Sequence, residues 1–424
     1  MASLGIKPEL KIQRNLTDEQ LLDLVQKQTF RYFWDFGHPV SGMARERSNE
    51  AYEYGNEVVT TGGTGFGVMA MIVAAERKFI TREQAALRTK KIVDFLYKAD
   101  MFYGAFPHWL NGTTGKVIRF SLKDDGADIV ETSLLFQGLI TASRYYTADN
   151  PVENSIRGKI NEMWNNIDWN WFTQGQNVLY WHWSPNNGWS MNHQIKGYNE
   201  CLITYILAAG SERSGISRRV YTDGYANSNH FLNGREFYSY KLPFGFDYGG
   251  PLFFSHYSFT GLDPRGLKDS YGDYWEQNKN HTLINRAYCI DNPKKYKGYS
   301  AQSWGLTASD SWVGYAAHSP NEDLGVITPT AALSSFPYTP EYSMEALKHF
   351  YFNMGDKIWS EYGFIDAFSE EKNWYAKSHL AIDQGPIIVM IENYRSGLLW
   401  DLFMSSPIVK NGLTKLGFES PKLK

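Results

Sequence analysis

The stretch Lys123-Asp124-Asp125-Gly126-Ala127-Asp128-Ile129-Val130-Glu131 runs directly into Thr132-Ser133-Leu134-Leu135-Phe136-Gln137-Gly138-Leu139-Ile140. Acids crowd the entry to a segment that then turns apolar on every face, and a helix apolar all round is a buried one. Helical spacing from about Ala127 puts Asp128 and Glu131 three apart on one face, at the rim of the core. The same texture, a Gly/Thr/Asp-rich loop feeding an apolar helix, returns at Thr60-Thr61-Gly62-Gly63-Thr64-Gly65-Phe66-Gly67 and Ile195-Lys196-Gly197-Tyr198-Asn199-Glu200. It returns again at Trp304-Gly305-Leu306-Thr307 and Asp383-Gln384-Gly385-Pro386. Between these lie amphipathic helices with a charged face, such as Thr81 to Ala99. Apolar inner helices alternating with amphipathic outer ones predict two concentric rings: an all-α (α/α) toroid with inner-helix N-termini opening on one face.

The periodicity predicts helices over Thr17–Phe36, Gly65–Arg77, Thr81–Ala99, Ala127–Tyr146, Val152–Ile167 and Lys196–Ala209. Thr17-Asp18-Glu19-Gln20 and Thr81-Arg82-Glu83-Gln84 are helix-capping patterns. The second half is less regular, with helices predicted over Ser217–Tyr221, Asp223–Leu232, Tyr271–Cys289, Thr328–Ser335, Pro340–Met354 and Gly385–Phe403. Short extended pieces fit Val178–Trp183, Phe237–Leu242 and Gly363–Phe368. No Pro/Ser-rich linker divides the chain, which reads as one catalytic domain over 1–424 with an N-terminal arm at 1–16.

Of 424 residues, 43% are hydrophobic and 21% charged, ordinary for a globular chain. The net charge of −3 comes without a basic tail or patch, which argues against nucleic acid as partner. The longest apolar run, Val68 to Ala75, is too short to span a bilayer. Aromatic residues reach 16%, with 14 Trp and 28 Tyr, and many sit in loop-like segments, as the walls of a sugar-stacking cleft would. Cys201 and Cys289 are enough for one bridge, but both fall in apolar helical patterns, which favours buried free thiols. The start, Met1-Ala2-Ser3-Leu4-Gly5-Ile6-Lys7-Pro8, lacks the basic and long apolar stretches of a signal peptide.

Two carboxyl sources stand out. Asp124, Asp128 and Glu131 lead one apolar helix, although acids in a first turn also serve as ordinary caps, the reading preferred for Asp125. Glu200 heads another apolar run, Cys201-Leu202-Ile203-Thr204-Tyr205-Ile206-Leu207, where apolar walls would raise its pKa as a general acid requires. Hydrolysis of a glycosidic bond needs this pairing of a protonated carboxyl with a carboxylate. The aromatic loops supply candidate sugar platforms: Trp181, Trp183, Trp189, Tyr198, Tyr248, Phe253, Trp275 and Trp374. Tyr180-Trp181-His182-Trp183 alternates as a strand, with Trp181 and Trp183 on one face. Arg286, with Arg45, Arg47 and Arg395, is a candidate for binding hydroxyls or holding carboxylates; Asp310, Asp366 and Asp383 are reserve acids. Ten His residues occur without metal-ligand spacing, so no metal and no cofactor is expected. Asp124-Asp125-Gly126-Ala127-Asp128 also spells the D-D-x-x-D of diphosphate–magnesium sites, but it sits at a helix start and lacks a second such motif. A non-catalytic glycan-binding protein is the other alternative; it would keep the platforms without needing opposed acids.

Four elements in order, Phe30-Arg31-Tyr32-Phe33-Trp34-Asp35, Lys123 to Thr132, Gly197-Tyr198-Asn199-Glu200 and Asp383-Gln384-Gly385-Pro386, resemble the bacterial glucoamylase-like domain of glycoside hydrolase family 144, the endo-β-1,2-glucanases. The resemblance covers nearly the whole chain. It implies an (α/α)6 toroid and hydrolysis of linear β-1,2-glucan to sophorooligosaccharides with inversion. It carries catalytic importance to Asp124, Asp128, Glu131 and Glu200, with Glu200 as the expected general acid and the other three as base and positioning shell. It also implies export, to the periplasm or the cell exterior. A monomer is expected. Neither composition nor spacing distinguishes β-1,2 from other linkages, or endo from exo action.

Overall fold

The computed structural model describes residues 4–5, 7–49 and 55–423. Residues 1–3 and 6 of the expected N-terminal arm, and Lys424 at the end of the expected domain, lie outside the described residues. Thirteen α-helices are seen among those described: α1 (Asp18–Trp34), α2 (Thr61–Glu76), α3 (Arg82–Leu96), α4 (Ile129–Tyr145), α5 (Pro151–Asn166), α6 (Leu202–Gly210), α7 (Tyr274–Asp291), α8 (Pro329–Leu333), α9 (Pro340–Lys348), α10 (Gly355–Ile358), α11 (Ala381–Arg395), α12 (Leu398–Met404) and α13 (Pro407–Leu416). The inner ring runs α2, α4, α6, a series of short 3-10 turns between Leu252 and Thr260, α8 and α11, which packs back on α2. The outer layer includes the amphipathic α1, α3, α5, α7 and α9, giving the (α/α)6 toroid.

The sequence sorts these helices physically. α2, α4 and α6 bury nearly every residue, whereas α3 and α5 bury one stripe only. Both predicted capping boxes form, Thr17 with Gln20 and Thr81 with Gln84. Part of the residual arm docks on the outer layer: Gln13 N–H donates to the Tyr351 hydroxyl at 3.0 Å, and Trp359 Nε1–H donates to the Glu9 carbonyl at 2.8 Å.

The glycine-rich segment at 60–67 departs from its expected role as a loop, because α2 begins at Thr61 and contains the glycines. They are there for helix contact: a Cβ on Gly65 would sit 2.2 Å from the Leu134 carbonyl oxygen, and one on Gly138 would sit 2.1 Å from the Gly65 carbonyl oxygen. α6 starts at Leu202, six residues later than predicted, since residues 196–201 form turns. The predicted helix at Asp223–Leu232 is absent beyond a π-helical turn at Val220–Tyr225. The predicted Gly385–Phe403 helix is two helices, broken where Gly397 takes φ 74°. The three expected extended pieces contain only two-residue strands. Cys201 and Cys289 are buried and unbridged.

Candidate active site

Two short pieces of β-structure place the acids. Strand β1 (Val58–Thr60) pairs with β2 (Trp109–Asn111), which pairs with β3 (Val117–Ile118). Strand β4 (Ala127–Asp128) pairs with β5 (His182–Trp183), so that Asp128 faces His182 in register. Asp128 N–H donates to the Phe106 carbonyl at 2.9 Å, and Phe106 N–H donates to the Thr132 hydroxyl at 2.9 Å. These bonds stitch the Phe106-Pro107-His108 segment to the start of α4 and bring His108 over its acids.

Asp128 is the N-cap of α4 and is fully buried. Its Oδ1 accepts from Val130 N–H at 3.0 Å, Glu131 N–H at 2.8 Å and Trp181 Nε1–H at 3.0 Å; its Oδ2 lies 3.1 Å from His108 Nδ1. Burial alone would raise this carboxyl, but the His108 hydrogen bond, nearby histidine charge and the Glu131 N–H outweigh it and hold Asp128 below its usual range. Burial pulls His108 down, yet Glu131, Asp128 and Asp124 push it up to about 9. His108 Nε2 lies 3.9 Å from Glu131 Oε1, and its ring stacks on Phe120 at 3.9 Å between centroids.

Glu131 points one oxygen toward His108 and takes a 2.7 Å hydrogen bond from Gly62 N–H on the other. A Cβ at Gly62 would come within 2.5 Å of that oxygen, so glycine is needed for the approach. Burial raises the Glu131 pKa. Asp124 sits behind, with its Oδ2 3.5 Å from His182 Nε2, and burial followed by Asp128 charge raises it to about 7. Burial pushes His182 down to about 4.

Glu200 approaches from the turn ahead of α6, and burial raises its carboxyl to about 7. Its backbone is fixed by neighbours: the Ser258 hydroxyl donates to the Glu200 carbonyl at 2.5 Å, and Asn199 N–H donates to the Tyr225 hydroxyl at 3.2 Å. Glu131 and Glu200 line one cleft of about 190 Å³, with Trp181, Phe253, Tyr257 and Tyr315 among its walls. Two carboxyls with raised pKa on separate inner elements, sharing a mostly apolar cavity, can donate and accept protons around a bound sugar.

The predicted platforms divide. Trp181 and Phe253 line this cleft, and Trp374 lines a second groove beside it. The others are placed elsewhere. Trp183 packs on Phe102 and Tyr103, because β5 is too short to carry the expected strand alternation past Trp181. Trp189 packs against Trp171, Phe172 and Tyr180. Tyr198 is core, set against Phe244 and hydrogen-bonded to Asn278 at 3.4 Å. Tyr248 packs on Phe237, and Trp275 on Tyr338. Arg286 lies over the Tyr342 ring at 3.8 Å and donates to the Ala301 carbonyl at 3.2 Å, both outside the cleft lining.

Of the other arginines, Arg47 lines the cleft and donates two hydrogen bonds to Asp310, at 2.8 and 3.1 Å. Asp310 N–H in turn donates to Asp366 at 2.7 Å. Burial, followed by the charge of neighbouring acids, raises Asp366 to about 7 and Asp383 well above the carboxylate range. The D-D-x-x-D acids do not converge, because Asp125 turns away to the Ser184 hydroxyl and to Asn186 Nδ2 at 2.6 Å. Ligand-capable atoms of His108, Asp124 and Asp128 lie within 4.8 Å of one another. The same carboxylates, with Glu131, favour the protonated form of His108 there.

Sequence reasoning missed His108, Trp109, Phe120, Tyr257 and Tyr315. Only Phe106-Pro107-His108-Trp109, an aromatic run before a short strand, carried a local signal.

The family described as "Putative glucoamylase" matches residues 192–407. A Bacteroides uniformis crystal structure bearing the same description is 64% identical, with a TM-score of 0.95 over 97% of this chain and 100% of its own. An endo-β-1,2-glucanase from Chitinophaga pinensis, solved with sophorotriose and glucose, is 56% identical, with a TM-score of 0.94 over 96% of this chain and 100% of its own. An exo-β-1,2-glucooligosaccharide sophorohydrolase (non-reducing end) from Parabacteroides distasonis is 46% identical over 95% of this chain. The chain spans 58% of the length of that curated relative.

Proposed function

The chain belongs to the glucoamylase-like family of glycoside hydrolases, family 144, and on that premise we propose that it is an endo-acting hydrolase of linear β-1,2-glucan, releasing sophorooligosaccharides with inversion. The observation that carries this reading is the pairing of Glu200 and Glu131 in one aromatic-walled cleft. Glu200, raised to about 7, keeps a proton near neutral pH and serves as general acid to the leaving glycosidic oxygen. Glu131, which also lines the cleft, activates the attacking water. Asp128 has its oxygens taken by Trp181, His108 and the α4 backbone, which makes it a positioning residue: it fixes His108 beside Glu131. Asp124 completes that shell next to His182.

In inversion, water adds to C1 from the face opposite the departing oxygen as the C1–O bond breaks. Glu131 takes one water proton and Glu200 supplies one to the leaving group, so protons balance over the turn. The whole toroid is read as the catalytic unit, exported to the periplasm or cell exterior and acting as a monomer.

The test is product analysis on linear β-1,2-glucan, β-1,3-glucan, β-1,4-glucan and starch, with the anomer of the new reducing end followed by NMR. A ladder of short products from β-1,2-glucan alone, born as the α-anomer, supports the reading. Disaccharide alone from the first time point would replace endo with exo action, as the name of the Parabacteroides relative describes for that protein. Glucose from starch would overturn the linkage.

A further inference from the structure

Tyr257 lines the cleft together with Glu131 and Glu200. It belongs to the short turns between Leu252 and Thr260 that stand in for a helix in the inner ring. Its N–H donates to the Phe253 carbonyl at 3.0 Å, and its own carbonyl accepts from Gln137 Nε2–H at 2.9 Å and from the Thr260 hydroxyl at 3.1 Å. The ring packs between Phe66 on α2 and Phe253, with centroids 5.3 and 4.7 Å away. Backbone and ring are both held, and so is the phenolic oxygen. That oxygen is buried and has no hydrogen-bond partner among the described residues. Burial, followed by the charges of Asp383, Tyr315, Glu131 and Glu200, holds the phenol well above its usual range, so it keeps its proton at working pH.

A buried hydroxyl left unpaired costs free energy until a partner arrives. Packing between Phe66 and Phe253 would be served as well by phenylalanine, so the hydroxyl answers to something else. A sugar lying along the wall touches atoms that solvent also touches; this oxygen is closed to solvent, which suits a smaller partner. The reaction needs one such partner beside Glu131: the attacking water, which takes two or more polar neighbours to be held in one place. We propose that Tyr257 is a further catalytic residue, whose phenolic oxygen accepts one hydrogen of the attacking water while Glu131 accepts the other. Two acceptors turn the water so that a lone pair faces C1. As the new O–C1 bond forms and the glycosidic C1–O bond breaks, the hydrogen facing Glu131 moves to that carboxylate as a proton. The hydrogen facing Tyr257 stays on the new anomeric hydroxyl, Glu200 protonates the leaving oxygen, and Tyr257 ends unchanged. This rests on the reading of Glu131 and Glu200 as base and acid of a glucan hydrolase.

The experiment measures kcat and KM on linear β-1,2-glucan for the wild type, Tyr257→Phe and Tyr257→Leu, each with its melting temperature. Beside it, calorimetry gives Kd for a β-1,2-linked glucooligosaccharide on Glu200→Gln, with and without Tyr257→Phe. The expected result for Tyr257→Phe is a kcat lower by roughly tenfold or more, with KM and Kd changed by less than about twofold, because the lost partner is the nucleophile's and not the sugar's. Its melting temperature should stay at or above that of the wild type, since every ring contact is kept. Should Tyr257→Phe fail to fold, Tyr257→Leu decides by the same comparison of kcat with Kd. An unchanged kcat in Tyr257→Phe would make the residue packing alone, and a Kd that weakens in step with kcat would make it a sugar contact. Either overturns the inference while leaving the catalytic reading intact. Wild-type silence on β-1,2-glucan of every length would overturn that reading and the role of Tyr257 with it.

Discussion

His108 Nδ1 lies 3.1 Å from Asp128 Oδ2, joining the residue before strand β2 to the N-cap of α4. Through that contact a buried carboxylate, with no direct share of the cleft lining, sets the charge next to Glu131. Replacing His108 by Phe would keep the stacking on Phe120 and leave Asp128 Oδ2 buried without its cation, a loss of about 3 kcal/mol by analogy with broken buried pairs. The sign follows from linkage. A histidine raised from 6.5 to about 9 contributes stability that is fully present below pH 6.5 and lost as pH rises through 9. Denaturation of wild type and His108→Phe should therefore differ most at pH 6 and converge by pH 10; a constant gap would deny the ion pair.

Glu200→Gln should lower kcat on unactivated β-1,2-glucan by roughly 10²–10⁴-fold, the usual worth of a positioned acid. KM should change little. In the wild type, kcat/KM should fall as pH rises through about 7, as Glu200 loses its proton. Steady-state kinetics from pH 4 to 9 will show whether that alkaline limb exists and whether it vanishes in the variant. An aryl glycoside with a good leaving group, if turned over, should be spared most of the loss.

The same substitution should stabilise the fold. A carboxyl raised from 4.5 to about 7 binds its proton more tightly when folded, so its ionisation erodes stability as pH climbs between those values. Glutamine removes the cost, and roughly 1–3 kcal/mol should be regained at pH 8 but nothing at pH 4. Calorimetry at the two pH values distinguishes this from a generic packing effect, which would be the same at both.

Gly65→Ala should reverse the ordinary preference of helices for alanine. An exposed helical site would gain about 1 kcal/mol. Here the new methyl carbon would sit 2.2 Å from the Leu134 carbonyl oxygen, and forcing α2 away from α4 should cost about 1–3 kcal/mol or more. Urea unfolding gives the number directly. Gly62→Ala should behave differently, because its nearest atom is Glu131 Oε2 at 2.5 Å: it should cost activity more than stability.

The amino-acid sequence by itself determined the ring of helices. Apolar runs at α2, α4 and α6, stripe patterns at α3 and α5, and the caps at Thr17 and Thr81 are local properties, and local periodicity decides which face is buried. It also exposed Glu131 and Glu200, because a carboxylate heading an apolar helix conflicts with its surroundings whatever the fold. Tertiary structure alone decided the rest of the site. His108 and Tyr315 reach the cleft from loops that are remote in sequence and carry no period, and Arg47 meets Asp310 across 263 residues. Tyr198, Trp189 and Trp275 looked like platforms by type, yet the core buries Tyr198, and Trp189 and Trp275 lean partly buried on its edge, since a large ring gains burial against a core as it does against a sugar. Which aromatic faces water is set by where the helices pack, and that is a property of distant contacts.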